Sequence, residues 1–313
     1  MTDELPPYLP RTPFLWARTP FERARVVLFG CPFDGTASFR PGARFGPEAI
    51  RSVSDGLESY SPLLDADLEE LPYCDLGDLP LAPGDVGGAL ARIREEARRI
   101  LGAGKIPFAL GGEHLVSLPL IEAALEAHPG LVVFQWDAHA DLREGYLGAA
   151  LSHASVMRLA ADRVGPGRLV QFGIRSGTRE ECAWMRGHGT VRPLSPEAVR
   201  QALARHAGSP IYLTLDLDVL DPGEFPGTGT PEPGGARFAE LAECIALLRR
   251  EGARVAALDA VELSPMLDPS GEGENLLPRP GGAFPVLPAL LGGTRWEAWG
   301  RLSLPGVGGM VIA

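Results

Sequence analysis

The chain of 313 residues is 45% hydrophobic and 22% charged, an ordinary globular composition that excludes disorder along its whole length and suffices for one large domain. A formal charge of −11, from 40 Asp and Glu against 29 Lys and Arg, argues against a nucleic-acid surface or an anionic-membrane patch, since both call for clustered basic residues, and suits cationic ligands. No run of about 18 apolar residues appears, the opening MTDELPPYLPRTPF has no apolar signal core, and Cys31, Cys74, Cys182 and Cys244 lack zinc or redox spacing, so a cytoplasmic protein with reduced thiols is expected.

In chain order, residues 1–24 carry prolines at 6, 7, 10, 13 and 20 and are read as an extended arm. Candidate strands follow at 25–31 (RVVLFGC) and 72–77, then a helix at 87–104, a strand at 106–112 and a helix at 116–128. Further strands are expected at 131–136, 168–174 and 190–194. A helix at 195–207 has Ser195 as N-cap, Pro196 at its first position and Gly208 as its stop. A strand at 210–216, a helix at 236–251 and a strand at 254–261 complete the pattern. Eight strands alternating with helices predict an α/β domain over 25–270 with a largely parallel sheet. The tail, 271–313, departs from the rest: Gly and Pro fill 15 of its 43 positions against 54 of the first 270, without amphipathic period. Lys105 and Asn275 are the only residues of their types, which suggests a GC-rich gene, and the tail reads as frameshifted or divergent.

In open α/β sheets, ligands gather outside the carboxyl ends of the strands. Those ends carry Glu113-His114, Asp137-x-His139-x-Asp141, Asp216-x-Asp218 and Glu262. Residues two apart in extended chain point the same way, so each cluster converges on one side. A lone Asp-x-His-x-Asp also fits a loop that caps a helix, but several buried carboxylates are too costly to gather without a cation. Four Asp and two His without thiolate favour a hard divalent metal, Mn²⁺ foremost, over structural zinc. Six ligands suit two ions about 3.5–4 Å apart, and so metal-assisted hydrolysis.

GGEHLVSLP, QWDAHADLR, LTLDLDVLDP and DAVELSP resemble, in order and spacing, the signatures of the ureohydrolases, the arginase and agmatinase family, from Val26 to Asp268. The resemblance implies a three-layer α/β/α sandwich around an eight-stranded mostly parallel sheet. It implies His114, Asp137, Asp141 and Asp216 as ligands of one Mn²⁺ and Asp137, His139, Asp216 and Asp218 as ligands of the other. Asp137 and Asp216 would bridge, and Asp141 would accept a hydrogen bond from a hydroxide held by both ions. His153, in LSHASVMR, matches the family's proton shuttle, and Glu262 the carboxylate that grips the substrate guanidinium. A homo-oligomer, trimer or hexamer, and a place in polyamine biosynthesis are implied as well.

PFDGTASFRPGARFGPEAIR (32–51), FGIRSG and GTGTPEPGG resemble agmatinases more closely than arginases. The loop LREGYLGAALSHAS lacks the Asn by which arginases hold the amino-acid end of their substrate, and before Ser152 offers a carboxylate only Arg143 and Tyr146. Agmatine, hydrolysed to putrescine and urea, is therefore the expected substrate, with aminopropylagmatine, guanidinobutyrate and arginine as alternatives. Two readings of other kinds remain: a non-catalytic member that binds metal or guanidino ligands, and the one-zinc deacetylases that share the fold.

Overall fold

The computed structural model describes residues 7–9, 11–56, 58–61 and 64–268; the reading of 271–313 as an altered tail falls outside them. The strands are β1 (Val26–Cys31), β2 (Tyr60–Ser61), β3 (Ala66–Asp67), β4 (Tyr73–Asp78), β5 (Ile106–Gly111), β6 (Val132–Trp136), β7 (Leu169–Phe172), β8 (Val191–Arg192), β9 (Ile211–Asp216) and β10 (Val255–Val261). The helices are α1 (Gly46–Ser54), α2 (Val86–Gly102), α3 (Ser117–Ala127), α4 (Val156–Val164), α5 (Arg179–His188), α6 (Pro196–Arg205) and α7 (Phe238–Arg250). Eight strands pair in parallel in the order β4-β1-β5-β10-β9-β6-β7-β8, and β2 and β3 form a separate antiparallel pair.

The eight expected strands are the eight of this sheet. Runs such as VVLFGC are apolar on both sides because both faces are covered. Val26 and Leu28 face one core with α1, α6 and α7, while Val27, Phe29 and Cys31 face the other with α2, α3 and α4. This is the three-layer α/β/α sandwich. In α2, Ile93, Ala97 and Ile100 lie on the buried stripe, and each large aliphatic side chain so removed from water contributes about 1.5–3 kcal/mol. Asp85 caps that helix by accepting from Gly88 N, and Ser195 caps α6 by accepting from Ala198 N.

Helices α1, α4 and α5 are additions to the sequence pattern. α1 is short and opens on Gly46-Pro47, so that its buried Ala49 and Ile50 read as part of a turn-rich loop, and α5 (REECAWMRGH) buries only Glu181 and Met185. A capping box starts α5 nonetheless: Thr178 accepts from Glu181 N, and the Glu181 carboxylate accepts from Thr178 N.

The arm does more than extend. Leu9 exchanges backbone hydrogen bonds with Asp78 at 2.7 and 3.2 Å, Arg18 bridges to Cys74, and Phe14 is buried. It thereby covers the free edge of β4, a row of unpaired backbone groups that otherwise invites pairing with another chain. Gly77 permits the approach: its φ is +85°, and a Cβ there would meet Leu9 O at 2.6 Å.

Candidate metal centre and active site

The residues singled out at strand ends converge because β5, β10, β9 and β6 are the four central strands, side by side. His114 follows β5, Glu262 follows β10, Asp216 and Asp218 close β9, and Asp137 to Asp141 follow β6. The turn after β5 needs Gly112, where a Cβ would lie 1.9 Å from Phe33 O. The loops after β1 and β5 are thus pressed together, with Gly112 N donating to Cys31 O and Glu113 N to Phe33 O.

Two groups of ligand atoms form, each within 4.8 Å: His114, Asp137 and Asp216, and Asp137, His139 and Asp218. Asp137 belongs to both. Around His114 Nδ1 lie Asp137 Oδ2 at 3.0 Å, Asp141 Oδ2 at 3.1 Å and Asp216 Oδ2 at 3.2 Å. His139 Nδ1 lies 2.8 Å from Asp218 Oδ2 and 3.7 Å from Asp137 Oδ1. Asp141, outside both close groups, is aimed at His114 from a left-handed backbone, φ 53°. Asp216 falls in the first group only.

The donor set fits cations on a specific observation. His114 Nε2 is 2.9 Å from Thr214 Oγ1, and the single hydroxyl proton of Thr214 goes to Asp259 Oδ1 at 2.7 Å. Nε2 must therefore be the donor, so the lone pair of neutral His114 is on Nδ1. That buried Nδ1 has no hydrogen-bond partner and faces three carboxylate oxygens, a repulsive arrangement unless a cation lies between them. Without a metal a proton takes the place. Burial opposes the charged ring, but the adjoining carboxylates of Asp137, Asp141 and Asp216, to which a proton on Nδ1 would bond, outweigh it and raise the His114 pKa well above the ordinary value. His139 is raised likewise against burial, by Asp218 and Asp137. Burial pushes Asp141 up to about 6, helped by the Asp137 charge, and raises Asp216 and Asp218 too. Asp137 is held down despite burial by its two imidazole neighbours. Protonating both histidines still leaves four carboxylates against two cations, an imbalance that two divalent ions remove.

Beneath the ligands a polar row crosses the sheet in register: Gln171, Gln135, Thr214 and Asp259, on β7, β6, β9 and β10. Thr190 Oγ1 donates to Gln171 Oε1, Gln171 Nε2 to Gln135 Oε1, and Gln135 Nε2 to Asp137 Oδ2, each at 2.7 Å. The row orients Asp137 and His114 from behind, as carboxylate and hydroxyl partners do in metal sites generally. Their sequence signal was available: Gln135 and Thr214 stand two residues before Asp137 and Asp216, on the same face of apolar strands.

His139, Asp141, Asp216 and Asp218 line one cavity of about 320 Å³ with His153, Glu262, Ser38, Arg143, Tyr146, Thr178, Glu181 and Thr230. Glu262 adopts φ 67°, a left-handed conformation unusual for a residue with a Cβ. Its backbone N donates to Gly112 O, and its Oε1 accepts from His114 N at 2.7 Å. Burial pushes its carboxyl up to about 8. His153 is held below its ordinary value, first by burial. The Arg143 guanidinium stacks on Tyr146, 4.5 Å from the ring centre, and the Tyr146 and His153 rings meet edge to face at 5.8 Å. Ser38 and Thr230 come from the two stretches that resemble agmatinases, 32–51 and 227–235, whose Gly-rich wording marks no single residue, and Glu181 doubles as a helix cap. Among the described residues no helix is long and apolar enough to cross a membrane.

A family model described as the arginase family matches residues 24–277. An agmatinase of Bacillus cereus is 44% identical over 261 residues, covering 83% of this chain and 90% of that protein. An N(1)-aminopropylagmatine ureohydrolase of Thermococcus kodakarensis is 41% identical over 249 residues, 78% of this chain and 84% of that protein. Among solved structures, the agmatine ureohydrolase of Thermoplasma volcanium superposes with a TM-score of 0.78 at 30% identity, with 90% of this chain and 94% of that one covered.

Proposed function

The chain belongs to the arginase family, and from that premise we propose that it hydrolyses agmatine to putrescine and urea with two Mn²⁺ ions held by His114, Asp137, His139, Asp141, Asp216 and Asp218. One observation carries the reading: Glu262 and His153 share a cavity with four of those six residues, so a guanidinium gripped by one is within reach of the others. The agmatine assignment is supported by relatives named agmatinase at 44% identity and by the absence of Asn from the 142–155 loop.

Held by those six residues, a pair of divalent ions would supply an activated water near neutral pH and would offset the clustered carboxylates. The protein's own groups do the rest. The Glu262 carboxylate, turned by its bond from His114 N, accepts two N–H groups of the planar guanidinium and fixes its central carbon. Asp141 accepts a hydrogen bond from the attacking oxygen and orients it. As the tetrahedral carbon releases the amine, His153 supplies the proton that the leaving nitrogen needs.

A second reading rests on Arg143. Its guanidinium lines the cavity, as a partner for the carboxylate of guanidinobutyrate or arginine would. Measuring urea released by the Mn²⁺-loaded protein from agmatine, aminopropylagmatine, guanidinobutyrate and arginine separates the readings. Agmatine is expected to give the highest kcat/KM. Urea from arginine but not agmatine would overturn the assignment, and bound metal with no urea from any of the four would favour a non-catalytic binding role.

A further inference from the structure

The loop between β1 and α1 adds a wall to the cavity that the metal-ligand motifs do not account for. From it Thr36 reaches three groups at once. Its Oγ1 donates to Glu113 Oε1 at 2.7 Å, accepts from His153 N at 3.1 Å, and lies 3.3 Å from His153 Nδ1. Thr36 N also donates to Glu113 Oε2 at 2.8 Å. In the GGEH turn, Glu113 thus points at the β1 loop while its neighbour His114 points at the carboxylates. On the other side of the imidazole, Ser38 Oγ lies 3.3 Å from Nε2.

A hydroxyl has one proton and two lone pairs. Glu113, accepting from both Thr36 N and Thr36 Oγ1 as a carboxylate, takes the Thr36 hydroxyl proton, so the contact with Nδ1 is then attractive only if Nδ1 carries a hydrogen. The other neutral tautomer would set the Nδ1 lone pair against an oxygen lone pair. We propose that Thr36 is a positioning residue that holds His153 as the Nδ1–H tautomer and leaves Nε2, beside Ser38, as the nitrogen that exchanges protons with the cavity. The inference rests on the reading of His153 as the proton donor and adds how that donor is aimed.

Proton accounting follows. Neutral His153 takes a proton from solvent at Nε2, and Nδ1–H keeps donating to Thr36. When the C–N bond of the tetrahedral adduct breaks, its electron pair stays on nitrogen and the Nε2 proton passes to that nitrogen. His153 returns to neutral with Nδ1–H undisturbed. The ring need not turn over between uptake and delivery, and the edge-on contact with Tyr146 is retained.

The test uses the full-length protein and three variants: Thr36→Val, which keeps the shape but removes the hydroxyl, Thr36→Ser, which restores it, and His153→Gln. Protein labelled with ¹⁵N-histidine and loaded with diamagnetic Mg²⁺ reports the tautomer of each of the six histidines, the His153 signal being the one lost in His153→Gln. Kinetics with Mn²⁺ and agmatine are measured in parallel. The wild type and Thr36→Ser are expected to show Nδ1–H. Thr36→Val should lose that preference and fall in kcat by about 10-fold or more, a share of the about 10²–10⁴-fold that positioned acid–base groups supply, with KM within about threefold. An Nε2–H signature in the wild type, unchanged tautomer and kcat in Thr36→Val, or equal loss in the Val and Ser variants would each overturn the proposal, the last by reducing Thr36 to a loop fastener. Full kcat in His153→Gln would instead overturn the donor reading, and the tautomer measurement would still decide for or against Thr36.

Discussion

Arg51 is the one arginine among the described residues that is buried, with 1% of its surface exposed. Its Nε and Nη2 donate to the two oxygens of Asp75 at 2.7 and 2.9 Å, and Nη1 donates to Asp78. Removing one partner from such a group leaves uncompensated charge in the interior, so Arg51→Ala should cost about 3–5 kcal/mol, measured by denaturant unfolding; a loss under about 1 kcal/mol would mean that water reaches Asp75 and Asp78. In the sequence Arg51 is only the last residue of the 32–51 stretch, and one arginine among Gly and Pro turns carries no sign of burial. The metal-site candidates were more legible. Asp137, His139 and Asp141, and again Asp216 and Asp218, recur at i, i+2 spacing after apolar strands, and His114 stands just past the end of another. Glu262 was legible as a carboxylate at a strand end, but its role, like the choice of His153, came only through resemblance. Thr36 and Asp259 were unreadable as partners, since what they do depends on which hydroxyl proton is already committed, a matter of three-dimensional contact.

At the scale of elements, the strands were recoverable because a buried parallel strand is a short apolar run, and the helices at α2, α3, α6 and α7 because they bury a continuous stripe. The arm was not, since its prolines describe what it cannot form and say nothing of what it covers. Phe14, 4% exposed, anchors it in the same core as α1 and β4. Phe14→Ala should therefore lower stability by about 3–5 kcal/mol in chemical denaturation; a change below about 1 kcal/mol would show the arm to be a loose cover. Between α2 and α3, Arg94 and Arg98 both donate to the Glu126 carboxylate and hold its pKa down to about 2. A depressed carboxyl stabilises the folded state above its unfolded pKa, and that contribution fades as pH falls from about 4.5 toward 2. The group is exposed, so Glu126→Gln should cost under about 1 kcal/mol at pH 7 and only a small part of that by pH 2, a decline that urea titrations across this range would follow.

For the whole molecule, the excess of acid that first excluded nucleic acid is concentrated where it has a use. Asp137, Asp141, Asp216, Asp218, Glu113 and Glu262 all lie in or beside one cavity. Metal analysis should find two Mn²⁺ per chain and fewer in Asp218→Ala. Chelation should lower the Tm, because the ions bind the folded state and leave mutually repelling carboxylates when removed; restoration of the Tm by Mn²⁺ completes the test, and an unchanged Tm would contradict tight binding. What the sequence withheld at this scale was strand order. Alternating strands and helices are compatible with many sheets, and nothing local says that the seventh and eighth strands of the sheet, β9 and β10, enter between the third, β5, and the fourth, β6. That order has a consequence in time. As the chain emerges from the ribosome, β4, β1 and β5 can assemble as one ribbon and β6, β7 and β8 as another, each with an inner edge that has no mate. The last two strands among the described residues, ending at Val261, fill the gap between those ribbons and carry Asp216, Asp218 and Glu262 with them. A chain cut before about residue 210 would lack β9 and β10, and with them Asp216, Asp218 and Glu262, and would leave the inner edges of β5 and β6 without mates.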